Sequence, residues 1–144
     1  MINRRSTNRN ANCLVNKSSL LDYLLKKGIV SMPFINVKVS IPLTEEKRIA
    51  VKTALGKAIT VMGKSEDYLM VGFEENVPLY FAGQKEERCA FVDVRVFGTV
   101  DPKQADEMTM VICQTLEMVL GIQASKTYVT YQGFTDWGWN GRNF

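Results

Sequence analysis

The stretch PFINVKVSI, residues 33–41, alternates its side chains with the period of a β-strand. Ile35, Val37 and Val39 fall on one face, which predicts a strand that is buried on that side. The following residues, 44–63, carry apolar side chains every three or four positions, which predicts an amphipathic helix. Thr44 suits its N-cap and Gly63 suits the position just past its end.

The order of strand, helix and strand occurs twice, and this repeat predicts the fold. The predicted strands cover residues 68–73, 89–97 and 127–131 in addition to 33–41, and a second helix covers 101–121 with Asp101 as N-cap and Pro102 at its first position. Strand–helix–strand units favour parallel pairing within each half. We therefore expect an α+β domain, α/β by its repeat, with two β-α-β units and two helices on a four-stranded mixed sheet.

Two helices can cover only one face of such a sheet, yet the predicted strands carry apolar residues on both. The strand at 89–97 places Phe91 on the face opposite Val92 and Val94. Either a few apolar residues are exposed, as in most proteins, or another subunit covers this face.

Composition narrows the function classes. At 144 residues with 46% hydrophobic and 23% charged side chains, the chain is one globular domain. No apolar run approaches the roughly 18 residues of a membrane span. Three cysteines and no histidine match neither a disulfide framework nor a metal site. We expect no membrane, metal or cofactor partner and a cytoplasmic location, with organellar or secreted locations left open.

The excess of basic over acidic side chains is confined to the beginning of the chain. Residues 1–31 hold six basic side chains against one acidic, a net charge of +5, whereas 32–144 hold twelve against fourteen, a net charge of −2. The main body therefore lacks the basic patch of a nucleic-acid-binding protein.

Residues 1–32 differ in kind from the domain predicted for 33–144. The first residues are polar and Asn-rich, and residues 18–28 suit a short amphipathic helix. We expect this leader to be absent from the working protein or disordered. Three explanations stay open: upstream sequence translated in error with true initiation at Met32, a targeting leader that is removed, and a retained extension.

Five motifs occur in a fixed order on this repeat: PFINV at 33–37, MGK at 62–64, PLYFAG at 78–83, YVTY at 128–131 and WGWNGRNF at 137–144. Together they resemble the macrophage migration inhibitory factor family of the tautomerase superfamily. The resemblance implies a homotrimer whose three sheets form a central barrel. It also implies a cofactor-free isomerase that tautomerises phenylpyruvate-like α-keto acids and dopachrome-like substrates at sites between subunits. The alternative is a non-catalytic, cytokine-like trimer that binds a partner.

Proton transfer beside a carbonyl needs a base that works near neutral pH, and this chain has no histidine. An α-amino group has a reference pKa of roughly 7.7–8.0, which burial lowers further. The predicted base is therefore the secondary amine of Pro33, exposed as the N-terminus after removal of residues 1–32. If those residues are kept, the Pro33 nitrogen is an amide with no basic lone pair.

The resemblance assigns the remaining site residues. Lys64 is expected to contact the substrate carboxylate, the backbone N–H of Phe97 to face the substrate, and Tyr128 to enter the pocket from the adjacent subunit. Thr130 stands where the family commonly has asparagine, and Trp137 stands at an aliphatic position. Trp137, Trp139 and Phe144 are expected to wall the pocket around an aromatic substrate. Taken singly, each residue has an ordinary structural explanation, such as a strand-leading proline or a solvated helix-end lysine.

Overall fold

The computed structural model describes residues 31–143 together with Leu20 and Tyr23. The rest of the helix predicted over 18–28 and the predicted pocket residue Phe144 lie outside the described residues.

The described elements follow the predicted repeat. They are β1 (Phe34–Val39), α1 (Glu45–Ala58), β2 (Met70–Glu74), β3 (Tyr80–Phe81), β4 (Gln84–Lys85), β5 (Ala90–Phe97), α2 (Pro102–Leu120), β6 (Thr127–Phe134), β7 (Gly138–Trp139) and β8 (Arg142–Asn143). Neither α1 nor α2 is both long and apolar enough to cross a bilayer.

Four strands form one mixed sheet in the order β2-β1-β5-β6. Strands β1 and β2 are parallel, β5 and β6 are parallel, and the two halves meet through the antiparallel pair β1–β5. The predicted pairing within each half and the two helices on a four-stranded mixed sheet are confirmed. β6 runs three residues beyond its predicted end.

The core lies between the helices and one face of the sheet. Ile35, Val37 and Val39 of β1 are fully buried there, as their alternation predicts. Helix α1 contributes Val51 and Leu55 to the same cluster. On the other face of the sheet no described helix covers the side chains, so Phe91 and Tyr128 stay partly exposed.

Two short hairpins were not predicted as strands. β3 pairs with β4, and β7 pairs with β8. The second hairpin turns through Asn140 and Gly141, both with positive φ, which is the usual chemistry of a two-residue hairpin turn. It places the predicted pocket residue Trp139 in a fixed strand rather than in a loose tail.

Helix α1 continues into a short 3₁₀ turn that ends at a glycine in the left-handed conformation. This glycine sets the direction of the residue that follows. The last turn tightens into a 3₁₀ helix at Ile59–Met62, and Gly63 has φ 66° and ψ 25°. The Gly63 N–H donates to Thr60 and the Lys64 N–H to Ile59, at 2.9 and 3.4 Å. These bonds satisfy helix-end carbonyls and set the direction in which Lys64 leaves the helix.

We predict that Gly63→Ala lowers the free energy of unfolding by about 1 kcal/mol, because a Cβ is strained in the left-handed region. The space is open, since the nearest atom to an added Cβ is the Gln104 side-chain nitrogen at 3.9 Å. Gly63→Asn is the matched control and should cost less, because asparagine tolerates this conformation. Urea denaturation at equal protein concentration measures both, and equal losses for Ala and Asn would contradict the explanation.

Candidate active site

A groove of about 460 Å³ opens at the edge of the sheet where β1 and β2 begin. Three of the predicted site residues, Pro33, Trp137 and Trp139, line it. They converge because parallel strands start at the same edge: Phe34 pairs with Met70, so Pro33 lies beside the residues that enter β2. The β7–β8 hairpin supplies the tryptophan side.

The walls of the groove are largely aromatic. The rings of Tyr68 and Trp139 meet edge to face with their centroids 6.0 Å apart. Trp137 is held in the same way against Phe134, also at 6.0 Å. Such pairs fix ring orientation, so the groove presents preformed apolar surfaces that suit a flat, aromatic ligand.

Pro33 is buried at the floor of this groove, and its carbonyl accepts a hydrogen bond from the Met70 N–H at 3.0 Å. In the chain as given, its nitrogen is bonded to the carbonyl of Met32. The two preceding residues, Ser31 and Met32, are each 3% exposed. Once residues 1–32 are removed, the apolar groove residues Leu69, Met70 and Trp137 remain around this position, and an apolar environment lowers an ammonium pKa.

Lys64 is not among the residues that line the groove. It lies three residues before Asp67, in the loop that carries Asp67 and Tyr68 into the groove wall. Partial burial lowers the pKa of its ammonium. Within the described residues it forms no ion pair. A half-buried ammonium without a carboxylate partner suits an anionic ligand.

Phe97 lies beside the groove rather than among its lining residues. The β1–β5 register pairs Phe34 with Arg95, so Phe97 ends its strand next to Met32. The Ser31 hydroxyl donates to the Phe97 carbonyl oxygen at 3.2 Å. The backbone of Phe97 is thus close to the start of β1, and the role of its N–H toward a substrate stays a prediction.

Tyr128 and Thr130 are not brought to this groove within one protomer. They lie on β6, two strands away from β1, and Tyr128 is at the opposite end of the sheet. The register places Tyr128 level with Lys38, five residues along β1 from Pro33. At ~3.3 Å per residue, this is about 16 Å along the strand direction. Thr130 instead donates to the Asp93 carboxylate at 3.0 Å.

Several groove residues were missed in the sequence. Six further side chains line it: Met32, Phe34, Asp67, Tyr68, Leu69 and Met70. The parallel pairing predicted for the first β-α-β unit is the signal that could have identified the last four, because it brings the start of the second strand beside Pro33.

The two described cysteines do not belong to the groove. Cys89 is buried and Cys113 is partly buried, and both are free thiols. Burial raises the pKa of each thiol, so neither is poised as a thiolate nucleophile.

The comparisons agree with this architecture. The family model for macrophage migration inhibitory factor (MIF) matches residues 32–144. The structure of MIF2 from Leishmania major is 34% identical, with 78% of this chain and 97% of that chain covered and a TM-score of 0.74. A MIF homologue from Prochlorococcus marinus is 29% identical, with 77% and 98% covered and a TM-score of 0.70.

More distant structures share the fold alone. The protein Pt0534, in a structure described as inactivated by 2-oxo-3-pentynoate, is 18% identical, with 75% of this chain and 92% of that chain covered and a TM-score of 0.67. No curated protein sequence matches the chain.

We predict that Lys64→Met raises the midpoint of unfolding at pH 7, because methionine removes the cost of burying the ammonium. The lowered pKa means that the unfolded chain binds more protons just below pH 10.5, the ordinary lysine value, so the wild type gains stability as pH rises through that window. The advantage of Lys64→Met should therefore shrink toward pH 10.5.

Lys57→Met is the control, because Lys57 is an exposed lysine of α1. It should leave the midpoint nearly unchanged at both pH values. A loss of stability in Lys64→Met at pH 7 would show that the ammonium is stabilised in the free protein.

Proposed function

Because the chain belongs to the macrophage migration inhibitory factor family, we propose that it is a cofactor-free keto–enol tautomerase of phenylpyruvate-like α-keto acids. The observation that carries this proposal is the position of buried Pro33 in the lining of a groove with aromatic walls. The loop that enters this groove at Asp67 also carries Lys64, a half-buried lysine that has no carboxylate partner among the described residues. An aromatic α-keto acid combines the two features that this groove suits: a flat apolar ring and a carboxylate.

The reaction needs one group that both takes and returns a proton. The Pro33 amine would take a proton from the carbon next to the carbonyl, while the C–H electron pair forms the C=C bond and the carbonyl pair moves to oxygen. The resulting ammonium would then return the proton to that oxygen, which gives the enol. Burial keeps the amine uncharged near neutral pH, so that it is ready to act as a base.

The remaining groups would hold the substrate. Lys64 would pair with the carboxylate, and Tyr68, Trp137 and Trp139 would enclose the ring. Inactivation of Pt0534 by 2-oxo-3-pentynoate supports this class of ligand, since that reagent is itself an α-keto acid. Its conjugated alkyne accepts a nucleophile, which is the role of an unprotonated amine.

The proposed assembly is a homotrimer with the site between subunits. Two observations support it: the sheet face without helices carries partly exposed aromatic rings, and Tyr128 is far from the Pro33 groove of its own chain. A distant relative of the same fold is described as an asymmetric trimer of fused 4-OT. In a ring of three subunits, one chain can present Tyr128 and Thr130 to the groove of the next.

The mechanism requires that residues 1–32 are removed or never made. An amide nitrogen at Pro33 cannot act as a base, and a chain that keeps the leader is better described as a binding trimer of cytokine-like type. The free thiols and odd cysteine number favour action in a reducing compartment such as the cytoplasm.

We predict that protein beginning at Pro33 turns over phenylpyruvate, and that keeping Met32 lowers kcat/KM by at least about 100-fold, because general-base catalysis is lost. Pro33→Gly should also lower kcat/KM. Enol formation followed by ultraviolet absorbance measures all three. Equal rates with and without Met32 would rule out the Pro33 nitrogen as base, and no turnover by a folded trimer with a free Pro33 would leave the binding role.

We also predict that mixed trimers of Pro33→Gly and Tyr128→Ala chains are more active than either parent at low substrate concentration. If neighbouring subunits share a site, about a quarter of the sites regain both native residues after random exchange. The same mixture without subunit exchange is the control. Activity equal to the mean of the parents would place Tyr128 outside the neighbour's site.

A further inference from the structure

A third contact between aromatic rings lies away from the groove, at the start of β6. The rings of Phe81 and Tyr128 are tilted by 43° with their centroids 5.7 Å apart. Phe81 belongs to the hairpin formed by β3 and β4 (the 80–85 hairpin). Tyr128 itself is 61% exposed, so this contact restrains a side chain that solvent largely surrounds.

A charged pair holds the hairpin ring in place. The Lys126 ammonium lies 4.5 Å from the centre of the Phe81 ring, which is cation–π distance. The same ammonium forms an ion pair with the Glu86 carboxylate at 2.5 Å, directly after the hairpin. Lys126, one residue before β6, therefore contacts both the Phe81 ring and the Glu86 carboxylate. These contacts hold the 80–85 hairpin beside the start of β6, where Tyr128 lies.

The backbone of the 80–85 hairpin is also held in a defined conformation. Ala82, which has a Cβ, adopts φ 50°, and Gly83 follows with φ 76°. The Glu86 N–H donates to the Leu79 carbonyl at 3.1 Å and closes the hairpin. A left-handed alanine costs conformational free energy, and such residues persist where the surrounding contacts determine the backbone.

We propose that Phe81 is a positioning residue that fixes the Tyr128 ring for the site of the neighbouring subunit. This inference rests on the proposed function. Tyr128 stands on an edge strand and has no other described ring partner. A substrate-wall ring that is ordered before the substrate arrives loses less rotational freedom on binding. The effect of Phe81 should therefore appear in KM rather than in the proton transfer.

The test begins with protein whose chain starts at Pro33. Phe81→Leu keeps an apolar side chain but removes the ring, and it should raise KM for phenylpyruvate about three- to tenfold while kcat changes less than about twofold. Phe81→Tyr restores the ring and should restore KM. Tyr80→Leu is the matched control, since Tyr80 is the adjacent aromatic residue of the same hairpin and is 69% exposed.

A double-variant cycle separates positioning from general destabilisation. If Phe81 acts through Tyr128, Phe81→Leu should leave KM unchanged in a Tyr128→Ala background. An unchanged KM in the single variant, or an equal rise of KM in both backgrounds, would overturn the proposal. Size-exclusion chromatography of each variant confirms that the same assembly is compared.

A spectroscopic readout keeps this inference separate from the function it rests on. Protein that starts at Pro33 has four tyrosines, so 3-fluorotyrosine labels four sites, and Tyr128→Phe identifies the signal of one of them; Phe81→Tyr adds a fifth labelled site. Phe81→Leu should shift that signal and Phe81→Tyr should move it less. If the protein that starts at Pro33 does not turn over phenylpyruvate, the tautomerase proposal fails, and the fluorine signal of Tyr128 still tests whether Phe81 orients that ring. A Tyr128 signal that does not shift in Phe81→Leu would overturn the positioning role of Phe81.

Discussion

Two helices can cover only one face of a four-stranded sheet, and the organisation of this protein depends on that limit. The covered face holds the valine and isoleucine side chains of β1 and β5, which are fully buried. The other face carries Phe91, Tyr128 and a row of polar side chains, and no described helix covers it. One-sided coverage therefore gives the domain a core and also leaves a surface that suits further copies of the chain. It leaves Tyr128 on an edge strand, far from the groove of its own protomer.

The groove depends on a second consequence of the topology, the parallel pairing of β1 and β2. Parallel strands start at one edge, so Pro33 meets the aromatic segment that enters β2. The left-handed end of α1 brings Lys64 into the same loop, and the β7–β8 hairpin adds the tryptophans. Each element contributes one kind of chemistry: a nitrogen, a cation and apolar walls. In the proposed mechanism that nitrogen can act as a base only as a free amine, because an amide has no basic lone pair.

The sequence predicts the helices and strands whose side chains recur with a regular period. It does not predict the groove residues whose positions depend on tertiary contacts. The alternating strand patterns predicted the sheet, and the caps Thr44 and Asp101 with the glycines Gly63 and Gly121 predicted the two helical segments. The predicted strand 68–73 wrongly included Tyr68, which ends a short 3₁₀ turn before β2, and its place in the groove comes from its contact with Trp139. The 80–85 hairpin was missed because its strands are only two residues long and its turn uses an alanine where glycine or asparagine is usual.

The most direct test of the central claim is peptide mass spectrometry of the protein purified from its native source and treated with 2-oxo-3-pentynoate. The account predicts an N-terminal peptide that begins at Pro33 and carries the whole mass of one reagent molecule on the proline nitrogen. Addition across the conjugated triple bond expels no leaving group, so no smaller mass is expected. An N-terminal peptide that begins upstream of Pro33, or a free Pro33 that stays unmodified, would contradict the assignment of this nitrogen as the base.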